Sequence, residues 1–188
     1  GDLLASAYNP GSGVSIAMSV AGNNIMQSGN STIQYQLTPD GAVRVSALNS
    51  LYGSAAGATA LRRLMSESRS DMLEGELTKI SARAIDTETR VSGALSGVNL
   101  STTFPQTGLG RQLQMVARMI AARSALGQRR QMFFVQHGGY DFHDNLVADQ
   151  STKLRELGDA MAAFYTATAT LGVANQVTTF TASDFGRG

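Results

Sequence analysis

The sequence predicts an α/β domain with a mostly parallel sheet flanked by helices. Three observations carry this. "VSIAMSV" at 14–20 alternates Val14, Ile16, Met18 and Val20 with small residues, the period-two pattern of a strand. The second half of the chain then reads helix, strand, helix, strand over 111–127, 130–136, 149–172 and 176–183. A strand–helix–strand unit of that length is almost always a right-handed crossover between parallel strands.

The elements follow in order. "STIQYQLT" (31–38) reads as a second strand, and Pro39-Asp40-Gly41 is a turn signal after it. The intervening "GNNIMQSGN" is a polar, glycine-rich loop. From Gly57 to Leu95 apolar residues recur at three- and four-residue steps, among them Leu61, Leu64, Leu73, Leu77, Ile80 and Ala84. This predicts a long helix, weakened or broken at Gly75 by about 1 kcal/mol relative to alanine. Residues 96–110 form an internal, linker-like loop with Gly, Pro and Thr.

The helix over 111–127 gathers Leu113, Val116, Met119 and Ile120 on one face and meets Gly127 at its end, a natural helix stop. "RQMFFVQ" (130–136) is a short apolar run bounded by turns, hence a buried strand. The helix over 149–172 points Leu154, Leu157, Met161, Phe164, Tyr165 and Leu171 inward. "QVTTFTAS" (176–183) is β-branched and predicts a last strand, with Asp184 directly after it.

Composition bounds the class. A chain of 188 residues suggests one domain, 1–188. With 43% hydrophobic and 15% charged residues it can bury a core, which argues against global disorder. The formal net charge is +1, and the only basic doublets are Arg62-Arg63 and Arg129-Arg130. That argues against nucleic acid or an anionic membrane as a partner. Cysteine is absent, which excludes disulfides and cysteine-based zinc sites. No apolar run reaches the ~20 residues of a membrane-spanning helix. The eight methionines lie mostly at core positions and read as packing. The chain opens on "GDLLASAYNP" and stops at "SDFGRG" just past a strand-like run. It therefore reads as part of a larger domain, its sheet completed by another segment or a second subunit, because a lone fragment would expose a sheet edge.

Both histidines fall in "QHGGYDFHDN" (136–145), with Asp141 and Asp144. In open α/β sheets ligands gather at the carboxyl edge of the strands. Loop 137–145 leaves one strand at that edge and Asp184 leaves the next, so Asp141, His143 and Asp184 should converge. A carboxylate and an imidazole can bind a divalent metal, and zinc takes about four ligands, three of them protein groups in catalytic sites. The alternative is an aspartate capping the next turn and a histidine hydrogen-bonded in its loop. Gly138 and Gly139 permit the sharp turn. His137, at the strand end, reads as a satisfied structural histidine. Arg187 can meet an anion bidentately or lie as a surface arginine. "DFG" at 184–186 lacks the catalytic and glycine-rich loops of kinases, and neither a P-loop nor a GxSxG elbow is present. "NST" (30–32) and "NLS" (99–101) match the glycosylation sequon, a frequent chance match.

"FFVQHGGYDFHDN" followed by "LRELGDAMAAFYTATATLGVANQVTTFTASDFGRG" resembles the DUF1501 proteins, uncharacterised bacterial proteins of the alkaline phosphatase/sulfatase-like superfamily. The likeness is close over 109–187 and looser over 1–100. It implies an alkaline-phosphatase-like sandwich, export to the periplasm or beyond, and two-metal hydrolysis of phosphate or sulfate esters. Asp141 and His143 match the family's Asp-x-His, and Asp184 its acidic residue before Phe-Gly-Arg. Phe142, Ser151 and Gly188 depart from the usual Thr, His and Thr. The family's GG-x-Asp strand is expected before residue 1 and its Asp-His-Gly segment after Gly188, so this chain alone does not assemble a full two-metal site. Two functions follow as expectations. One is a piece of an exported, metal-dependent hydrolase, with zinc the metal expected. The other is a non-catalytic, exported structural or interaction protein that keeps the fold.

Overall fold

The computed structural model describes residues 1–183. Its helices are α1 (Asp2–Tyr8), α2 (Ala55–Ser66), α3 (Met72–Ser96), α4 (Gly108–Ala121) and α5 (Leu146–Thr170). Its strands are β1 (Ala17–Ser19), β2 (Tyr35–Thr38), β3 (Gly41–Ala42) and β4 (Met132–Phe134). They form one mixed, mostly parallel sheet in the order β3-β2-β1-β4. β1 runs parallel to both β2 and β4, with Met18 opposite Tyr35 and Phe133, while β3 closes an antiparallel hairpin on β2 at the Pro39–Gly41 turn. The central strand has all three residues buried, as expected where both faces are covered.

The core joins β1 to α4 and α5. Val14, Met18, Val20 and Leu37 meet Leu113, Val116 and Ile120 of α4 and Phe164 and Ala167 of α5 in one cluster. Val91 and Leu95 bring the end of α3 into it. Arg118 of α4 donates to the Leu95 carbonyl (3.2 Å), which also accepts from the Val98 N–H, and so ties α4 to the end of α3. The Thr107 hydroxyl caps α4 by accepting from the Gly110 amide (3.1 Å). Gly110 is required there, because a Cβ would collide with the Pro105 carbonyl oxygen.

β4 is anchored from the far end of the chain. The Asn9 side chain accepts from the Arg129 and Arg130 amides and donates to the Arg130 carbonyl, while Gln128 donates to the Val14 and Ser15 carbonyls. α1 was not expected from the sequence. It places the Asp2 carboxylate against the amides of Asn30, Ser31 and Thr32, so it ties down the loop that leads into β2.

Several expectations need correction. The helix expected over 57–95 is two helices, and the break lies at 67–71 and not at Gly75. Asp71 accepts from the Leu73 and Glu74 amides and so starts α3, and a strong cap at that point outweighs the modest cost of one mid-helix glycine. The last three residues of the 96–110 loop, Gly108, Leu109 and Gly110, belong to α4, and α5 starts at Leu146, three residues early. The run 176–183 is not a strand. After a 3-10 turn at Ala174–Gln176 it continues extended and exposed, with Phe180 82% exposed. Val177 and Thr179 lie beside Met161, Phe164 and Tyr165 of α5, lining a cleft of about 240 Å³. β-branched residues favour a strand only when a neighbouring strand accepts the pairing, and β4 pairs with β1 alone among the described strands.

Candidate functional site: the loop at the carboxyl end of β4

Because β1, β2 and β4 are parallel, their carboxyl ends share one edge, and the loop from Val135 to Asn145 departs from it. Two helices hold this loop. From α4, the Gln112 amide donates to the Gln136 carbonyl (3.0 Å) and accepts from the Gln136 N–H (2.9 Å), mimicking a strand partner. From α5, the Glu156 carboxylate lies 3.0 Å from Nε2 of His137, whose side chain is only 13% exposed. The other ring nitrogen, Nδ1, is 2.8 Å from the Tyr140 hydroxyl. A neutral imidazole satisfies both contacts as the Nε2–H tautomer, donating to Glu156 and accepting from Tyr140.

Lys153 completes the cluster, donating to the same Glu156 oxygen at 3.0 Å. The hydrogen bond from Lys153, and after it the one from His137, holds the Glu156 carboxyl below the usual carboxylate range against the smaller effect of burial. Gly139 turns the chain with φ +85° and leaves space for Lys153, whose Cε would lie 3.2 Å from a Cβ placed there. Gly138 keeps a negative φ, so only the second glycine needs the left-handed region. The Tyr140 ring meets His137 edge-on at 5.3 Å between centroids and Phe142 at 6.4 Å.

Beyond this anchored base the loop presents its acid and its second imidazole to solvent. His143 Nε2 lies 3.5 Å from Asp141 Oδ2, with side chains 87% and 70% exposed. As an ion pair such an exposed contact contributes little. As a pair of metal donors it has the right types at short range. No group of three His, Cys, Asp or Glu residues able to hold a metal ion occurs among the described residues. The pair is therefore an incomplete donor set for zinc as far as the described residues go. Asp184 and Arg187 lie outside the described residues. The premise for bringing Asp184 to the same edge, a strand at 176–183 beside β4, is not met.

Sequence reasoning reached Asp141, His143 and the turning glycine, but missed Glu156, Tyr140, Lys153 and Gln112. A local signal existed for one contact, since Lys153 and Glu156 are three apart on a helix. The link from Glu156 to His137 spans nineteen residues and depends on how α5 folds back over the strand end.

No curated protein and no solved structure matches the chain. One family model does, that of the protein of unknown function DUF1501, and it spans residues 11–188. The match takes in the first half as well as the strand, loop and helix described above, and on that extent the chain belongs to the DUF1501 family.

Proposed function

We propose that the loop at the end of β4 supplies two ligands, Asp141 and His143, to a divalent-metal site, with zinc the metal that this donor pair suits best. The activity proposed for that site is hydrolysis of phosphate or sulfate esters by an exported protein, in which Asp184 is a further carboxylate and Arg187 an anion contact. The observation that carries the reading is the 3.5 Å approach of His143 to Asp141 on a loop whose base is pinned by α4 and α5. A metal ligand pair needs a fixed base, because an ion gains from donors held in place before it arrives. Two donors do not complete a zinc site, so no catalytic step is assigned to the metal.

Calorimetric titration with zinc tests this. Saturable binding that Asp141→Ala and His143→Ala each weaken about tenfold or more supports it. Uptake indifferent to both substitutions overturns it. Zinc-dependent cleavage of p-nitrophenyl phosphate or sulfate then tests the hydrolase assignment separately.

A second reading is an interaction protein that retains the fold without catalysis. One observation favours it: α3 exposes Leu73, Leu77 and Ile80 along one stripe.

A further inference from the structure

The connection from β1 to β2 folds into a nest of hydrogen-bond donors. The Gly29 amide donates to the Thr32 carbonyl (2.9 Å) and draws residues 29–32 into a tight turn. The next three amides then converge on one group, the Asp2 carboxylate of α1. Its Oδ2 accepts from the Asn30 N–H (2.8 Å). Its Oδ1 accepts from the Ser31 N–H (3.3 Å), the Thr32 N–H (2.7 Å) and the Ser31 hydroxyl (3.1 Å). Successive backbone N–H groups that converge in this way make a concavity suited to negative charge. Gly29 forms part of its wall, since a Cβ there would collide with Asp2 Oδ1.

One donor is left over. Thr32 is only 7% exposed, and its hydroxyl forms no well-made hydrogen bond among the described residues. It nevertheless faces the carboxylate. The Thr32 side chain, ahead of the Thr32 and Asn30 amides, holds the Asp2 carboxyl well below the usual carboxylate range. A carboxylate offers two oxygens with about two acceptor positions each, and Oδ1 already takes three donors. It has no position left for the Thr32 hydroxyl. A tetrahedral anion brings a third oxygen into the same space and can serve all the donors.

We propose that residues 29–32 form a binding site for a tetrahedral oxyanion, phosphate or sulfate, and that α1 closes it by lending the Asp2 carboxylate as an internal stand-in. This stand-in is loosely held. α1 has seven residues, none of them buried, and Leu3 is 86% exposed. A helix so short does not persist by itself. Its far end is tied down separately, where Asn9 binds the backbone of Arg129 and Arg130. Release of Asp2 therefore swings α1 about Asn9 and opens the nest, whose Asn30 and Ser31 already lie at the surface. The site uses no residue of the loop at the end of β4 and stands whether or not that loop holds a metal.

Amide-resolved NMR titration of the 188-residue chain with sodium sulfate and sodium phosphate, against sodium chloride at matched ionic strength, tests the proposal. In Asp2→Ala both anions are expected to shift the amides of residues 29–32 saturably, and to bind at least tenfold more tightly than in the native chain. Acetate, with two oxygens, should bind Asp2→Ala several-fold more weakly than sulfate. Adding Thr32→Val should remove that preference. Circular dichroism checks the fold of each variant. Asp2→Asn, which keeps the side-chain shape and drops the charge, takes the place of Asp2→Ala if the latter does not fold. No saturable shift at these amides in the folded variant overturns the proposal. So does equally tight binding by the native chain, or acetate binding as tightly as sulfate. Loss of the fold in both Asp2 variants overturns it too, because the carboxylate is then structure that no anion can replace.

Discussion

The Nε2 atom of His137 and the Glu156 carboxylate, nineteen residues apart, meet at 3.0 Å and fasten the loop at the end of β4 to α5. The ring is largely buried and both of its nitrogens have partners. Replacing it by alanine takes this partner from the Tyr140 hydroxyl and leaves the Glu156 carboxylate with Lys153 alone. We expect His137→Ala to cost about 1–3 kcal/mol in urea denaturation. Glu156→Gln should cost less, because the amide keeps an acceptor for the ring. Equal losses from the two substitutions would show that the contact does not organise the loop.

The same contact makes stability depend on pH. Lys153 and then His137 hold the Glu156 carboxyl below its ordinary range, so its folded value lies under the unfolded one. The associated stability is present above the ordinary glutamate value of 4.5 and is lost as pH falls through the lower folded one. Denaturation midpoints of the native chain and Glu156→Gln should therefore converge on acidification below about pH 4. A difference between them that stays constant from neutral to strongly acidic pH would contradict this.

Gly110 sits where α4 begins, under the Pro105 carbonyl. Alanine there forces the capping turn away from the helix or the helix away from the core. The expected cost of Gly110→Ala is about 2–4 kcal/mol, read as a lowered thermal midpoint. Gly108, two residues earlier, has open space around it, and Gly108→Ala should leave the midpoint within a degree or two of the native value.

Tyr35 of β2 buries its hydroxyl without a hydrogen-bond partner among the described residues. Burial, with Glu88 adding its negative charge, pushes the phenol up to about 12. The unfolded chain ionises near 10, so stability is lost as pH rises from there through about 12. Tyr35→Phe removes an unsatisfied donor and should be neutral or stabilising by up to about 1 kcal/mol. It should also flatten the alkaline loss. A clear destabilisation would reveal a partner for the hydroxyl.

Much of this architecture was legible because it is written in short-range periodicity. Met18 and Val20 alternate with small residues, and they lie in and beside the buried central strand. Leu113, Val116 and Ile120 share a helical face, and that face is in the core. The same rule misled at 176–183, where β-branched residues promised a strand and Phe180 is exposed. It also missed the break in the 57–95 helix, because periodicity carries through a short interruption. The cap at Asp71, not the glycine at 75, marks where the second helix starts.

The candidate site divides in the same way. Sequence alone picked out Asp141, His143 and the need for glycine at the turn, since residue type and spacing carry that chemistry. It also contained the family pattern that spans residues 11–188. Only the tertiary structure brought Glu156 to His137 and Gln112 to Gln136, and only it left 176–183 outside the sheet that the described strands form. Local patterns follow from the conformational preferences of a few adjacent residues. Which helix meets which loop, and which strand finds a partner, depends on burial and hydrogen bonding between segments far apart in the chain.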